Sequence, residues 1–205
     1  MNVCIRAALL LSLTPSPLVA QGFLEEFSYE GIRFSGVGAD VGVVIANSLT
    51  TEVVGGVRVD FGTFAPKVRV VLGGLYFKGQ FKEDRIREFE QRLEDLVGEP
   101  VDIGSITLAN LELYLDFQYL LPRVDRFQAY LGLGFGAYVR DGDGEAITGT
   151  FVEDALSTVA AGLSGSIGFD VVLIRQLSFM AEARGGLTSE LRTLSARGGF
   201  LFRFR

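Results

Sequence analysis

The chain contains no histidine, no tryptophan, a single cysteine and three lysines beside sixteen arginines. The missing histidine is the most informative of these absences, because it removes Ser-His and Cys-His nucleophile pairs, His-assisted water activation and His-ligated zinc together. The lone Cys4 sits within the first twenty residues, so the rest of the chain has neither a disulfide nor a cysteine-based metal site. There is no phosphate-binding Walker loop, no dinucleotide fingerprint and no glycosidase-like constellation. Catalytic, cofactor-binding and metal-binding residues are all expected to be none, and no cofactor is implied. A formal net charge of −6 argues against a nucleic-acid partner. No stretch after the N-terminus approaches the ~20 consecutive apolar residues of a membrane helix.

What the chain does have is glycine and aromatics: 26 Gly, 17 Phe and 6 Tyr among 205 residues. That mixture points to β-structure with close backbone approaches. At the N-terminus Arg6 supplies a positive charge, residues 7–13 form a short apolar run, and Leu18-Val19-Ala20 precedes Gln21 as a cleavage site. Residues 1–20 therefore read as a signal peptide for export and 21–31 as a lead-in on the periplasmic side. Residues 32–205 then form one barrel domain.

The dominant signal is alternation over unusually long segments. In residues 111–119 one face is wholly apolar or aromatic (Leu111, Leu113, Leu115, Phe117, Tyr119), and the other carries Glu112, Asp116 and Gln118. Residues 127–140 and 177–188 repeat the pattern. Strands are expected at 32–46, 51–62, 67–77, 103–120, 127–140, 158–173, 177–188 and 191–204. Their length suits the ~9–11 residues that a tilted strand needs to cross a bilayer. Connections alternate as well: 63–66, 121–126 and 174–176 are short, while the long loops 78–102 and 141–157 share the other side with 47–50 and 189–190. Short periplasmic turns opposite longer outer loops are a mark of outer-membrane barrels. Phe61, Phe117, Tyr119, Phe127, Phe169, Phe179, Phe202 and Phe204 all fall near the short-turn end, as an interfacial girdle requires.

The fold class expected is all-β: an eight-stranded antiparallel up-and-down transmembrane barrel with a short helix in an outer loop. Alternation alone also suits a secreted, soluble, lipocalin-like binding barrel. Strand length, loop asymmetry and the girdle favour the membrane. In that reading Asp40, Arg58, Asp60, Arg69, Glu112, Asp116, Asp170, Glu182, Arg184, Arg197 and Arg203 project into the lumen as a structural charge network. Hairpin folding sets Asp60 close to Arg69 and Glu182 near Arg197. The network reads as a satisfied interior plug rather than an ion path, because eight strands enclose a space that side chains fill. Inward Gly132, Gly134 and Gly136 relieve crowding near Tyr130 and Tyr138.

Two loop features stand out. In 81–97 (FKEDRIREFEQRLEDLV), Ile86, Phe89, Leu93 and Leu96 are spaced by three and four residues, which predicts an amphipathic helix that packs its stripe on the barrel rim or acts as a lid. Asp141-Gly142-Asp143-Gly144-Glu145 superficially suggests calcium, but it lacks the rest of a twelve-residue calcium loop and reads as a polar turn.

The segments FQAYLGLGFGAY (127–138), GFDVVLIRQLSFMAEARGG (168–186) and GFLFRF (199–204) resemble the late strands of small bacterial outer-membrane barrels of the opacity-protein and outer-membrane-protein-A-like superfamily. The resemblance implies the architecture and a location in the bacterial outer membrane. It also implies partners: outer-membrane lipid and lipopolysaccharide, and the barrel-assembly machinery during biogenesis. That machinery would read Phe200, Phe202 and Phe204, although Arg205 follows the last of them. Barrel enzymes of similar shape use a histidine that this chain does not possess. The expected function is non-enzymatic, serving envelope structure or surface interaction through loops 78–102 and 141–157. The alternative is a narrow channel or transporter for small or hydrophobic molecules.

Overall fold

The structure is a computed structural model that describes residues 32–100, 103–143, 157–189 and 191–204. The expected signal peptide (1–20) and lead-in (21–31) lie outside the described residues, as does most of the second long loop. Eight strands follow in order: β1 Ile32–Ala46, β2 Glu52–Ala65, β3 Val68–Gln80, β4 Thr107–Leu120, β5 Phe127–Asp143, β6 Thr158–Ile174, β7 Leu177–Leu187 and β8 Arg192–Arg203. One helix, α1 (Glu83–Val97), separates β3 from β4. Each strand pairs antiparallel with the next. β1 closes on β8 from Gly36↔Arg203 to Ala46↔Thr193, so the closed barrel has no free edge. Closure matters in lipid, where an unpaired edge would leave backbone groups without partners.

Period two sorts the side chains. Even-numbered residues point inward on β1, on β4–β7 and over most of β2, whereas odd-numbered ones do so on β3 and β8. The outward set is apolar over the middle of every strand, from Val37, Val41 and Val43 on β1 to Leu131, Leu133 and Phe135 on β5 and Leu163 and Ile167 on β6. Outward charges occur only near strand ends, at Arg33, Lys78, Asp141, Asp143 and Arg192. A water-soluble barrel would invert this arrangement, with hydrocarbon inside and polar groups outside, so the soluble lipocalin-like reading is set aside.

The short-turn rim carries the aromatic girdle. Phe34 stacks on Phe204 with ring centroids 4.9 Å apart, Phe127 stacks on Phe169 at 5.1 Å, and Phe179 meets Phe200 edge-on at 5.9 Å. Phe117, Tyr119 and Phe202 complete it on the outer face.

The strands deviate from sequence expectation at a few ends, each for a local reason. β2 runs on to Ala65 through an irregular register, with Gly62 at φ 74° and its N–H donating to Asp60 Oδ1 at 2.8 Å. β4 starts at Thr107 rather than at 103, because Gly104 at φ 69° breaks the extended chain. Ile103 and Ile106 are thereby released to pack beneath α1.

Candidate functional site

The chemistry-bearing side chains lie in the lumen, and closure assembles them into three arginine–carboxylate groups. In the first, Asp40, Arg58, Glu182 and Arg197 alternate in a ring. Arg58 reaches Asp40 at 3.3 Å and Glu182 at 3.1 Å; Arg197 reaches Asp40 at 2.7 Å and also pairs with Glu182. Glu182 lies directly across from Arg197 in the β7–β8 ladder, whereas Arg58 spans the lumen from β2. Asp40 fits between its neighbours because Gly199 is its partner on β8, where any side chain would run into it.

A second ring, nearer the short-turn end, alternates Asp60, Arg69, Asp170 and Arg203. Its contacts are Arg69–Asp60 3.7 Å, Arg69–Asp170 2.5 Å, Arg203–Asp60 3.2 Å and Arg203–Asp170 3.1 Å. Arg69 also donates twice to Gln118 Oε1, at 2.9 and 2.6 Å. In the third group Arg184 forms a fork on Asp116 at 2.6 and 3.0 Å, donates to Glu112 at 3.1 Å and to Ser164 at 2.7 Å, and lies 3.8 Å over the Tyr114 ring. Arginine suits all three places, since its planar, permanently charged fork satisfies two acceptors at once. All three lysines lie outside this network.

Three tyrosines brace the groups, each over a glycine on a neighbouring strand. Tyr114 covers its partner Gly73, Tyr130 covers its partner Gly168, and Tyr138 lies over Gly162 and beside Gly186. A ring laid across a glycine protects the bare backbone and uses the space a side chain would take. Tyr130 also donates to Glu182 at 2.9 Å. The expected relief of crowding is seen at Gly132 and Gly134, where added side chains would strike Ser166 and the Asp116 carboxylate.

Every predicted network residue (Arg58, Asp60, Arg69, Glu112, Asp116, Glu182, Arg184 and Arg197) is buried in the lumen. Both predicted hairpin pairs form, Asp60 with Arg69 and Glu182 with Arg197. Among the described residues, the three groups together with Arg140 bring six arginines and six carboxylates into the lumen. Each carboxylate is engaged by at least one guanidinium, which holds it in place as a counter-charge and not as a free base.

Sequence reasoning missed the other half of the interior. Toward the long-loop end the lumen is filled by hydrocarbon: Val44, Ala46, Leu49, Val54, Leu75, Phe77, Leu108 and Leu191 form one buried cluster with Phe81 against it. Enclosed groups are thus mainly charged below and mainly apolar above, with Asn110 and Arg140 among the buried residues at the level of Phe77. The signal was present in β1–β3, where both faces are apolar toward that end, but face assignment by charge passes over it.

Helix α1 sits on this outer rim. Glu83 and Asp84 complement its N-terminal dipole, and Gly98, at φ 77°, ends it with an N–H bond to Glu94 O. Phe89 and Leu93 pack on Ile103 and Ile106, while the Lys82 ammonium donates to the carbonyls of Ala46 and Asn47 at 3.3 Å each. The helix is therefore fastened to the rim, as its apolar stripe predicts. Asp141–Asp143 continue β5, with Asp141 accepting from Ser157 at 3.2 Å; Gly144 and Glu145 lie outside the described residues.

No protein-family model matches the chain, and no curated protein does. Several solved structures are similar in fold, two of them as follows. Neisserial surface protein A is 12% identical, with 83% of this chain and 97% of that one covered and a TM-score of 0.59. Ail, the attachment invasion locus protein of Yersinia pestis, is 10% identical, with 84% and 100% covered and a TM-score of 0.51. The architecture is that of the small outer-membrane barrels which the late strands resemble in sequence. Fold and apolar exterior together are those of a barrel that crosses a lipid bilayer with its strands.

Proposed function

We propose that this outer-membrane barrel is a non-enzymatic scaffold, serving envelope structure or surface interaction through the outer loops at 78–102 and 141–157. One observation carries the reading: buried side chains of the described residues pack into the lumen at successive levels, from the short-turn ring to the long-loop cluster. Two arginine–carboxylate rings and the Arg184 group fill its lower and middle parts, and a hydrocarbon cluster fills the long-loop end beneath the rim. Transport through the interior would require separating paired, buried charges, which costs several kcal/mol for each ion left unpaired. The outer loops remain as the part free to meet a partner, and α1 gives the first of them a fixed shape.

The partners follow from the same picture: lipid and lipopolysaccharide around the belt, and the barrel-assembly machinery acting on the strand that carries Phe200, Phe202 and Phe204. Deleting residues 144–156 is expected to leave a folded, heat-modifiable barrel that has lost surface binding. Loss of folding in detergent would refute the division into scaffold and loops. Planar-bilayer recordings on folded protein are expected to be silent; steady conductance would favour the channel reading instead.

A further inference from the structure

The lipid-facing surface is notched on one side. On β2 and β3 the outward positions include Gly55 and Gly74, which the register sets close together (Gly55↔Tyr76, Val57↔Gly74). They floor an open groove of about 600 Å³ walled by Tyr76 and Leu113, with Lys78 at its outer end. Nothing lies within 4 Å of the point where a Gly55 side chain would begin. Lys78 has no ion-pair partner among the described residues. Glu52, the acid beside it, is committed elsewhere, accepting from the Thr50 hydroxyl and packing over Gly79.

We infer that this groove seats one acyl chain of an outer-leaflet lipid whose anionic headgroup is met by Lys78. The inference rests on the outer-membrane reading above. Polarity runs in the right order along β3: bare backbone at Gly74, an aromatic ring at Tyr76, then a cation at Lys78. Apolar chain, interface and phosphate are met in that sequence in a leaflet. Four residues of strand span about 13 Å, comparable with the roughly 15 Å of hydrocarbon in one leaflet. A second copy of the chain fits less well, because a two-fold interface across the groove would bring Lys78 toward its own equivalent.

The absence of tryptophan makes the test clean. Leu113→Trp places a single fluorophore at the groove, and Leu163→Trp places one on the exposed belt of β6 as a control. Folded protein is reconstituted in mixtures of phosphatidylcholine and phosphatidylglycerol, with one or the other brominated, and quenching gives the relative binding constant at each site. The expected result is a preference of about five-fold for the anionic lipid at Leu113→Trp, the factor one lysine near the surface supplies. It should be absent at Leu163→Trp and abolished by adding Lys78→Gln. Gly55→Leu, whose Cβ meets nothing within 4 Å, should fold normally and reduce quenching by both lipids at Leu113→Trp. Equal constants at both positions would overturn the inference, as would a Leu113→Trp signal that no brominated lipid quenches, which would put a second copy in the groove. Heat-modifiability of the same samples reads the barrel itself, so a failure of folding in bilayers is distinguished from a failure of the groove.

Discussion

Arg184→Ala is the most demanding perturbation the lumen offers. Its guanidinium bonds Asp116 through two nitrogens at 2.6 and 3.0 Å, reaches Glu112 at 3.1 Å and Ser164 at 2.7 Å, and is almost wholly buried. Truncation leaves Glu112 and Asp116 enclosed without the guanidinium that bonds them both, and the cost of breaking such a pair is about 3–5 kcal/mol. A triple variant, Arg184→Met with Glu112→Gln and Asp116→Asn, removes all three charges together and is expected to recover most of that loss, since replacing a buried ion group entire is often close to neutral. The comparison separates the penalty of an orphaned charge from the worth of the intact group. Urea unfolding in lipid vesicles, followed by far-ultraviolet circular dichroism, gives each free energy. As an internal control, Arg87→Ala on the exposed face of α1 breaks only its pair with Glu83 and should change stability by about 0.5 kcal/mol or less. If Arg184→Ala costs no more than Arg87→Ala, the lumen is hydrated, and the argument that its charges are held by one another fails.

Other perturbations probe the remaining faces. Leu133→Arg, at an outward position that is 75% exposed in the middle of β5, should lower stability in bilayers by about 2–4 kcal/mol; a neutral result would mean that this face meets water. Gly134→Ala forces a methyl against the Asp116 carboxylate and is expected to destabilise by roughly 1–3 kcal/mol, whereas outward Gly165→Ala, with its nearest neighbour 4.0 Å away, should be silent in the same unfolding assay. Replacing Phe202 and Phe204 with Ala should slow assembly by the barrel-assembly machinery, read as the heat-modifiable fraction after a pulse of synthesis, while leaving refolding in detergent nearly unchanged. Unaltered assembly kinetics would remove these residues from the signal.

Alternation carried far in this chain. The starts of β1, β5, β6 and β7, the strand count and the inward set headed by Arg58, Asp116 and Arg184 are legible because a strand's side-chain period of two is a local property. The β4 start at Thr107 is not legible from alternation, because Ile103 and Ile106 continue the apolar pattern of a strand while serving the stripe of α1. Only the glycine at 104, in a left-handed conformation, separates the two roles.

Face can be read from the residues in order, but angle around the barrel cannot. Asp60 with Arg69 and Glu182 with Arg197 belong to adjacent strands, so hairpin pairing alone brings them together. Arg58 with Glu182, Arg69 with Asp170 and Arg184 with Asp116 come from strands far apart in sequence, and only closure of β1 on β8 decides that they meet. The hydrocarbon packing at the long-loop end is likewise a product of closure, since Val44, Phe77, Leu108 and Leu191 become one cluster when four separate strand ends are drawn around a common axis.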